Sequence, residues 1–171
     1  MHTRYRAIAR VVKTHGKRGE VVTVPVHGLP PMLRERLDVT PVPPALKGPR
    51  GRVVMSASYN GSGQLVSLGG VSDINAASEL VGKVLLARID DLPEGFERHD
   101  VDALLGREVV DSNMGALGSV AEVMVGRAND VWVVRGPYGE VLIPVVDAVV
   151  DELVEDGPIR VTIPSGLIEG A

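Results

Sequence analysis

Four histidines, His2, His15, His27 and His99, are the side chains best suited to bind a metal or move a proton near neutral pH. None stands at the one-turn helical or short strand spacing of paired metal ligands, and cysteine is absent. No metal site is therefore expected, and neither a disulfide framework nor a thiol nucleophile can exist. His15 lies close to Glu20, the makings of an acid–base pair, but no nucleophile accompanies them. A hydrolase or transferase would need that nucleophile or a metal-activated water. We therefore expect no catalytic residues and no cofactor.

What the chain does carry is charge. The run Thr14-His15-Gly16-Lys17-Arg18-Gly19-Glu20 holds glycines and cations, yet it lacks the Gly-x-x-x-x-Gly-Lys-Ser/Thr order of a phosphate-binding loop. It leads into the strand-like Val21-Val22-Thr23-Val24 rather than a helix. On one account it is a strand–turn–strand connection whose glycines supply positive φ. A second account adds to the first. Lys13, Lys17 and Arg18 lie within six positions on an exposed turn, after Arg4, Arg6 and Arg10, a set able to reach several phosphates. With one Trp, three Tyr and one Phe, base stacking cannot be extensive, so RNA contact would be mainly electrostatic. Trp132, within Asp130-Val131-Trp132-Val133-Val134, would face away from Val131 and Val133, as a core residue or an interface anchor. Asn129 and Asp130 before it have turn chemistry.

The elements that must position these residues are mostly strands. Ile8 to Val12, Val21 to Val26, Val53 to Ser58, Leu65 to Leu68 and Val84 to Ala87 are β-branched-rich, with more such segments beyond residue 100. Turn signals separate them, such as Asn60-Gly61-Ser62-Gly63, Ser112-Asn113-Met114-Gly115, Gly136-Pro137-Tyr138-Gly139 and Glu155-Asp156-Gly157-Pro158. Many short strands with regular turns predict a mainly β protein built of small barrels. One helix is predicted over 74–81, capped by Asp73 and closed by Gly82, with Ile74, Ala77, Leu80 and Val81 on one face. Helical turns are expected around Met32 to Leu37 and Asp102 to Leu105. Pro41-Val42-Pro43-Pro44 through Gly51 reads as an exposed loop or broken edge strand.

Composition bounds the rest. With 44% apolar and 23% charged residues in 171, the chain can bury a core. No run of about 18 apolar residues and no signal-peptide h-region appears, so a cytoplasmic location is expected. Residues 1–90 hold 13 basic against 6 acidic side chains, a net of +7, whereas residues 91–171 hold 5 against 16, a net of −11. This split is either drift in surface composition or a sign of two partners, a polyanion for the first half and a basic molecule for the second. The step coincides with Leu92 to Arg98, whose Pro93, Gly95 and carboxylates have linker composition. The expected organisation is therefore 1–91, a linker at 92–98, and 99–171.

Several motifs in order carry a family resemblance. They are Lys13-Thr14-His15-Gly16-Lys17-Arg18-Gly19-Glu20-Val21, Gly118-Ser119-Val120 through Glu122-Val123, Gly126-Arg127-Ala128-Asn129-Asp130-Val131, Glu140-Val141-Leu142-Ile143-Pro144, and Ile163-Pro164-Ser165-Gly166-Leu167. The chain resembles the RimM family over nearly its whole length. Two departures stand out: Lys17 occupies a position more often apolar in that family, and His99-Asp100 stand where paired aromatics are usual, with Phe96 upstream. The resemblance implies a translation-factor-like barrel followed by a PRC-barrel, with few short helices. It further implies a monomeric, non-enzymatic factor in late assembly of the 30S head and in 16S rRNA processing, whose C-terminal barrel holds the ribosomal protein uS-nineteen. On this reading Lys13, His15, Lys17 and Arg18 touch rRNA, while Asn129, Asp130, Trp132 and Tyr138 lie near the ribosomal protein. The alternative is a PRC-barrel adaptor for a basic protein outside the ribosome.

Overall fold

The computed structural model describes residues 4–61, 63–126, 128–154 and 156–168, so His2 and the motif or turn residues Ser62, Arg127 and Glu155 lie outside the described residues. The chain divides into two compact units between Phe96 and Glu97. Each has its own apolar core.

In the first unit, β1 (Tyr5–His15), β2 (Glu20–Pro25), β3 (Asp38–Val42), β4 (Arg52–Asn60), β5 (Gly63–Leu68) and β6 (Val84–Arg88) close a barrel in the order β1-β2-β5-β4-β3-β6. Ile8, Val11, Val21, Val39, Val54 and Val66 all point inward and are almost wholly buried. Each such side chain contributes about 1.5–3 kcal/mol relative to exposure. Every neighbouring pair is antiparallel. One end of the barrel therefore gathers the 16–19, 43–51 and 69–83 connections, as the partners His15↔Glu20 and Val84↔Arg10 and Val42 require.

β3 arises where the sequence suggested only a loop or broken edge. It pairs with β6 from Val39 to Val42, but with β4 only at Asp38 and Val39. Pro41, which has no N–H to give, lies just beyond that shorter pairing. Residues 43–51 are exposed, as expected.

Met32 to Leu37 is not helical. Both main-chain groups of Leu33 are taken by the Gln64 side chain, at 3.0 and 2.8 Å, and Arg36 N donates to Val54 O at 2.8 Å. Those groups cannot also serve a helix, and Leu33 and Met32 instead plug the barrel. The predicted 74–81 helix is shorter: α1 spans Ile74–Ser78, with Asp73 accepting from Ala76 N at 2.8 Å. Ala77 and Leu80 are buried, but Ile74 and Val81 are exposed, and the chain turns away at Gly82 (φ +88°), which donates to Val11 O.

The stretch expected as a linker is not uniformly solvated. Leu92 and Phe96 are buried in the first core, with 3-10 turns at Ile89–Asp91 and Phe96–His99. Pro and Gly composition marks a turn here, while two apolar side chains anchor it.

In the second unit α2 (Val101–Leu104), capped by Asp100, precedes β7 (Glu108–Asp111), β8 (Gly115–Met124), β9 (Val131–Gly136), β10 (Gly139–Pro144), β11 (Val150–Glu152) and β12 (Ile159–Val161). They form one six-stranded sheet in the order β10-β9-β8-β7-β12-β11, in which β12 runs parallel to β7 and all other pairs are antiparallel. At Gly118 (φ +119°) a Cβ would stand 2.0 Å from Arg135 O, so β8 and β9 cross as closely as they do only without a side chain there. Among the described residues, no helix is long and apolar enough to cross a membrane.

Candidate binding surfaces

The first candidate surface is the β1–β2 connection. Lys13 and His15, two apart on β1, share a face and are exposed, as are Lys17 and Arg18 in the loop. The loop is anchored at Gly19, whose φ of +88° and position against the backbone of Val71 and Asp73 leave no room for a Cβ: Val71 O would be 2.5 Å away. Lys17 and Arg18 are thus projected from a fixed base. His15 and Glu20 face each other across the hairpin, but among the described residues no hydrogen bond or ion pair joins them. Lys13, His15, Lys17 and Arg18 thus all lie exposed on one hairpin.

The second unit treats its four expected contact residues differently. Trp132 is wholly buried among Leu117, Ile143 and Ile159, so it has no surface to offer a partner. That corrects its place in the contact set: strand alternation put it on the core face with Val134, and its Nε1 has no hydrogen-bond partner there. Asp130 is also buried. It accepts from His99 Nδ1 at 2.8 Å and from Gly126 N at 3.3 Å, while its carbonyl accepts from Val145 N and from Asn129 Nδ2. Asp130 is therefore spent on fixing the turn before β9, which corrects the expectation of a direct contact through it, whereas Asn129 is half-buried and engages only its Nδ2. Tyr138 is 42% exposed and remains available. Its hydroxyl donates weakly to Met114 O at 3.4 Å, beside a groove of about 540 Å³ lined also by Asp111, Asn113, Ile163 and Pro164.

One important residue escaped the sequence. Asp111 is 2% exposed and accepts from three backbone N–H groups: Ile163 at 2.7 Å, and Asn113 and Met114 at 2.9 Å each. Burial pushes its carboxyl upward, but these three donors outweigh it and hold the pKa below the ordinary carboxylate value. The turn Asp-Ser-Asn-Met-Gly was visible in sequence, but the partner Ile163, 52 residues away, was not. His99 was noted as a histidine without a ligand partner and as a replacement for an aromatic, but its bond to Asp130, 31 positions away, was not legible.

The exposed charge of this unit is acidic. Glu108, Glu122, Asp147, Asp151, Glu152 and Asp156 all face solvent. Asp151 and Glu152 line a second groove of about 530 Å³ with Val110, Ser112 and Arg160. Ion pairs such as Arg98–Asp147 (2.5 Å) and Arg135–Glu140 (3.2 Å) neutralise only part of it. No group of three or more His, Asp or Glu suited to a metal occurs among the described residues.

Fold and surface together define a two-domain, mainly β protein in which a closed six-stranded barrel precedes a PRC-barrel sheet. Residues 7–92 match the model of the RimM N-terminal domain and residues 101–167 that of the RimM PRC barrel domain, and the chain belongs to the RimM family. It is 30% identical to the ribosome maturation factor RimM of Desulforamulus reducens, over 98% of this chain and 100% of that one. It is 31% identical to the ribosome maturation factor RimM of Moorella thermoacetica, over 98% and 99%. A crystal structure of a 16S ribosomal RNA processing protein RimM from Pseudomonas aeruginosa is similar at 21% identity, covering 94% of this chain and 98% of that one, with a TM-score of 0.42.

Proposed function

We propose that this protein is a cytoplasmic ribosome maturation factor that works by binding, without catalysis, in late assembly of the 30S head and in 16S rRNA processing. Its PRC-barrel unit holds a basic small-subunit protein, uS-nineteen, and its barrel touches nearby rRNA through Lys13, His15, Lys17 and Arg18. The observation that carries this reading is the charge division. Two units with separate cores bear opposite net charge, +5 over residues 1–96 with 13 basic against 8 acidic side chains, and −9 over residues 97–171 with 5 against 14. Opposite fields favour a polyanion at one unit and a cation-rich protein at the other. The names of the curated relatives, ribosome maturation factors, support the same assignment.

The test is calorimetry of the full chain with purified uS-nineteen at two salt concentrations. Binding that weakens as salt rises supports the reading, since exposed opposite charges are screened over about 10 Å at 0.1 M. Absence of binding at both concentrations refutes the partner.

A further inference from the structure

The basic charge of the barrel is not spread evenly. Three connections emerge at the barrel end that carries Lys13, Lys17 and Arg18, and the other two bring Lys47, Arg50, Arg52 and Lys83 to the same end. These seven cations face only Glu20, Asp73 and Glu79, of which Asp73 is engaged in capping α1. The rest of the barrel unit is nearly balanced, with six arginines (Arg4, Arg6, Arg10, Arg34, Arg36 and Arg88) against five carboxylates between residues 4 and 94.

Within the basic end lies a small niche between the 43–51 loop and α1, lined by Arg50, Arg52, Lys83 and one acid, Glu79. With a cavity volume of about 60 Å³ it is small, and it leaves room for a compact anion. Arg52 is already positioned: its Nη1 donates to Gly69 O at 3.1 Å, and its guanidinium lies over Gly70, where any Cβ would come within 2.2 Å of Nη1. A planar guanidinium held by one donor keeps others in a fixed fork for a phosphate. The niche also adjoins the β1–β2 loop, because Val71 lines the niche and supports Gly19.

We propose that this whole end of the barrel, and not the β1–β2 loop alone, faces RNA, and that the Arg50, Arg52 and Lys83 niche takes a backbone phosphate. The proposal rests on the reading that the barrel contacts rRNA and adds the residues and the chemical group. The three connections carry no aromatic side chain, which suits contact with a phosphate backbone rather than stacked bases or the aromatic-rich centre of a protein interface.

The test is fluorescence anisotropy of the full chain with a transcript of the 16S rRNA 3′ major domain across a range of salt. Four proteins are compared: wild type, Arg50→Gln/Lys83→Gln, Lys17→Gln/Arg18→Gln, and Arg36→Gln/Arg88→Gln at the opposite end. Each lost phosphate contact should lower the slope of log K against log salt by about 0.7–0.9. The two pairs at the basic end should therefore each lower it by about 1.4–1.8, and the opposite pair should leave it unchanged. Arg50→Gln alone, in an exposed loop, gives half that effect without any risk to folding. If the niche pair behaves as wild type while the Lys17/Arg18 pair loses slope, the niche is refuted and the barrel's rRNA contact stands. Wild-type protein without affinity for the transcript refutes both. Polyglutamate bound as tightly as the RNA, or equal losses at the opposite end, also overturns the proposal.

Discussion

Replacing Asp111 probes how the second unit is held together. Its carboxylate joins the turn after β7 to Ile163, a residue 52 positions later, through three backbone hydrogen bonds. In Asp111→Ala the Ile163 N–H loses its partner inside the protein, where an unsatisfied donor costs about 1–3 kcal/mol. The N–H groups of Asn113 and Met114 lie nearer solvent and recover part of their loss from water. The expected cost is about 2–4 kcal/mol, confined to the second unit. Trp132 is the only tryptophan and sits in that unit's core, so its fluorescence during urea unfolding reports on this unit. The pH dependence has a definite sign. A carboxyl whose folded pKa lies below its unfolded value of about 3.9 stabilises fully above that value. The contribution then disappears as pH falls through the lower folded value. Asp111→Asn cannot titrate, so wild type should lose its advantage over that variant as pH falls below the unfolded value of about 3.9. A loss below about 0.5 kcal/mol in Asp111→Ala, or parallel acid limbs for wild type and Asp111→Asn, would refute the reasoning.

Other substitutions test the first unit and the corrected contact set. Gly19→Ala should destabilise the barrel by about 1–3 kcal/mol, from strain at φ +88° and the close approach to Val71, read as a lower melting temperature by circular dichroism. Gln64→Ala removes the clamp on both main-chain groups of buried Leu33 and should cost about 2 kcal/mol in urea unfolding followed by far-UV signal. Trp132→Phe removes a buried Nε1–H that has no partner, so its packing loss is partly offset. The variant should keep wild-type affinity for uS-nineteen by calorimetry, and a tenfold loss in a folded protein would return Trp132 to the contact surface.

The mainly β class and the broad order of elements were legible because β-branched runs, glycine turns and the Asp73 cap are local signals. Lys13, Lys17 and Arg18 were equally legible as an exposed basic set, since a hairpin loop next to a charged strand leaves them nowhere else to go. Asn129 and Asp130 were read with two uses open, and for Asp130 the hydrogen bonds to Gly126, Val145 and His99 decided for the turn. Met32 to Leu37 misled because its helical composition is local, while the groups that claim its backbone come from Gln64 and Val54 in other strands.

Composition, charge and spacing by themselves thus determined the strand-rich class, the two-sided charge, the absence of thiol chemistry and the family resemblance. Each of these depends on residue type or on neighbours a few positions apart. Only the tertiary structure decided that β3 completes a barrel, that Trp132 is enclosed, that Asp111 holds Ile163, and that Arg50, Arg52 and Lys83 join the basic loop at one end. Those facts depend on strand order and register, which bring together residues tens of positions apart, and no local preference encodes such a pairing.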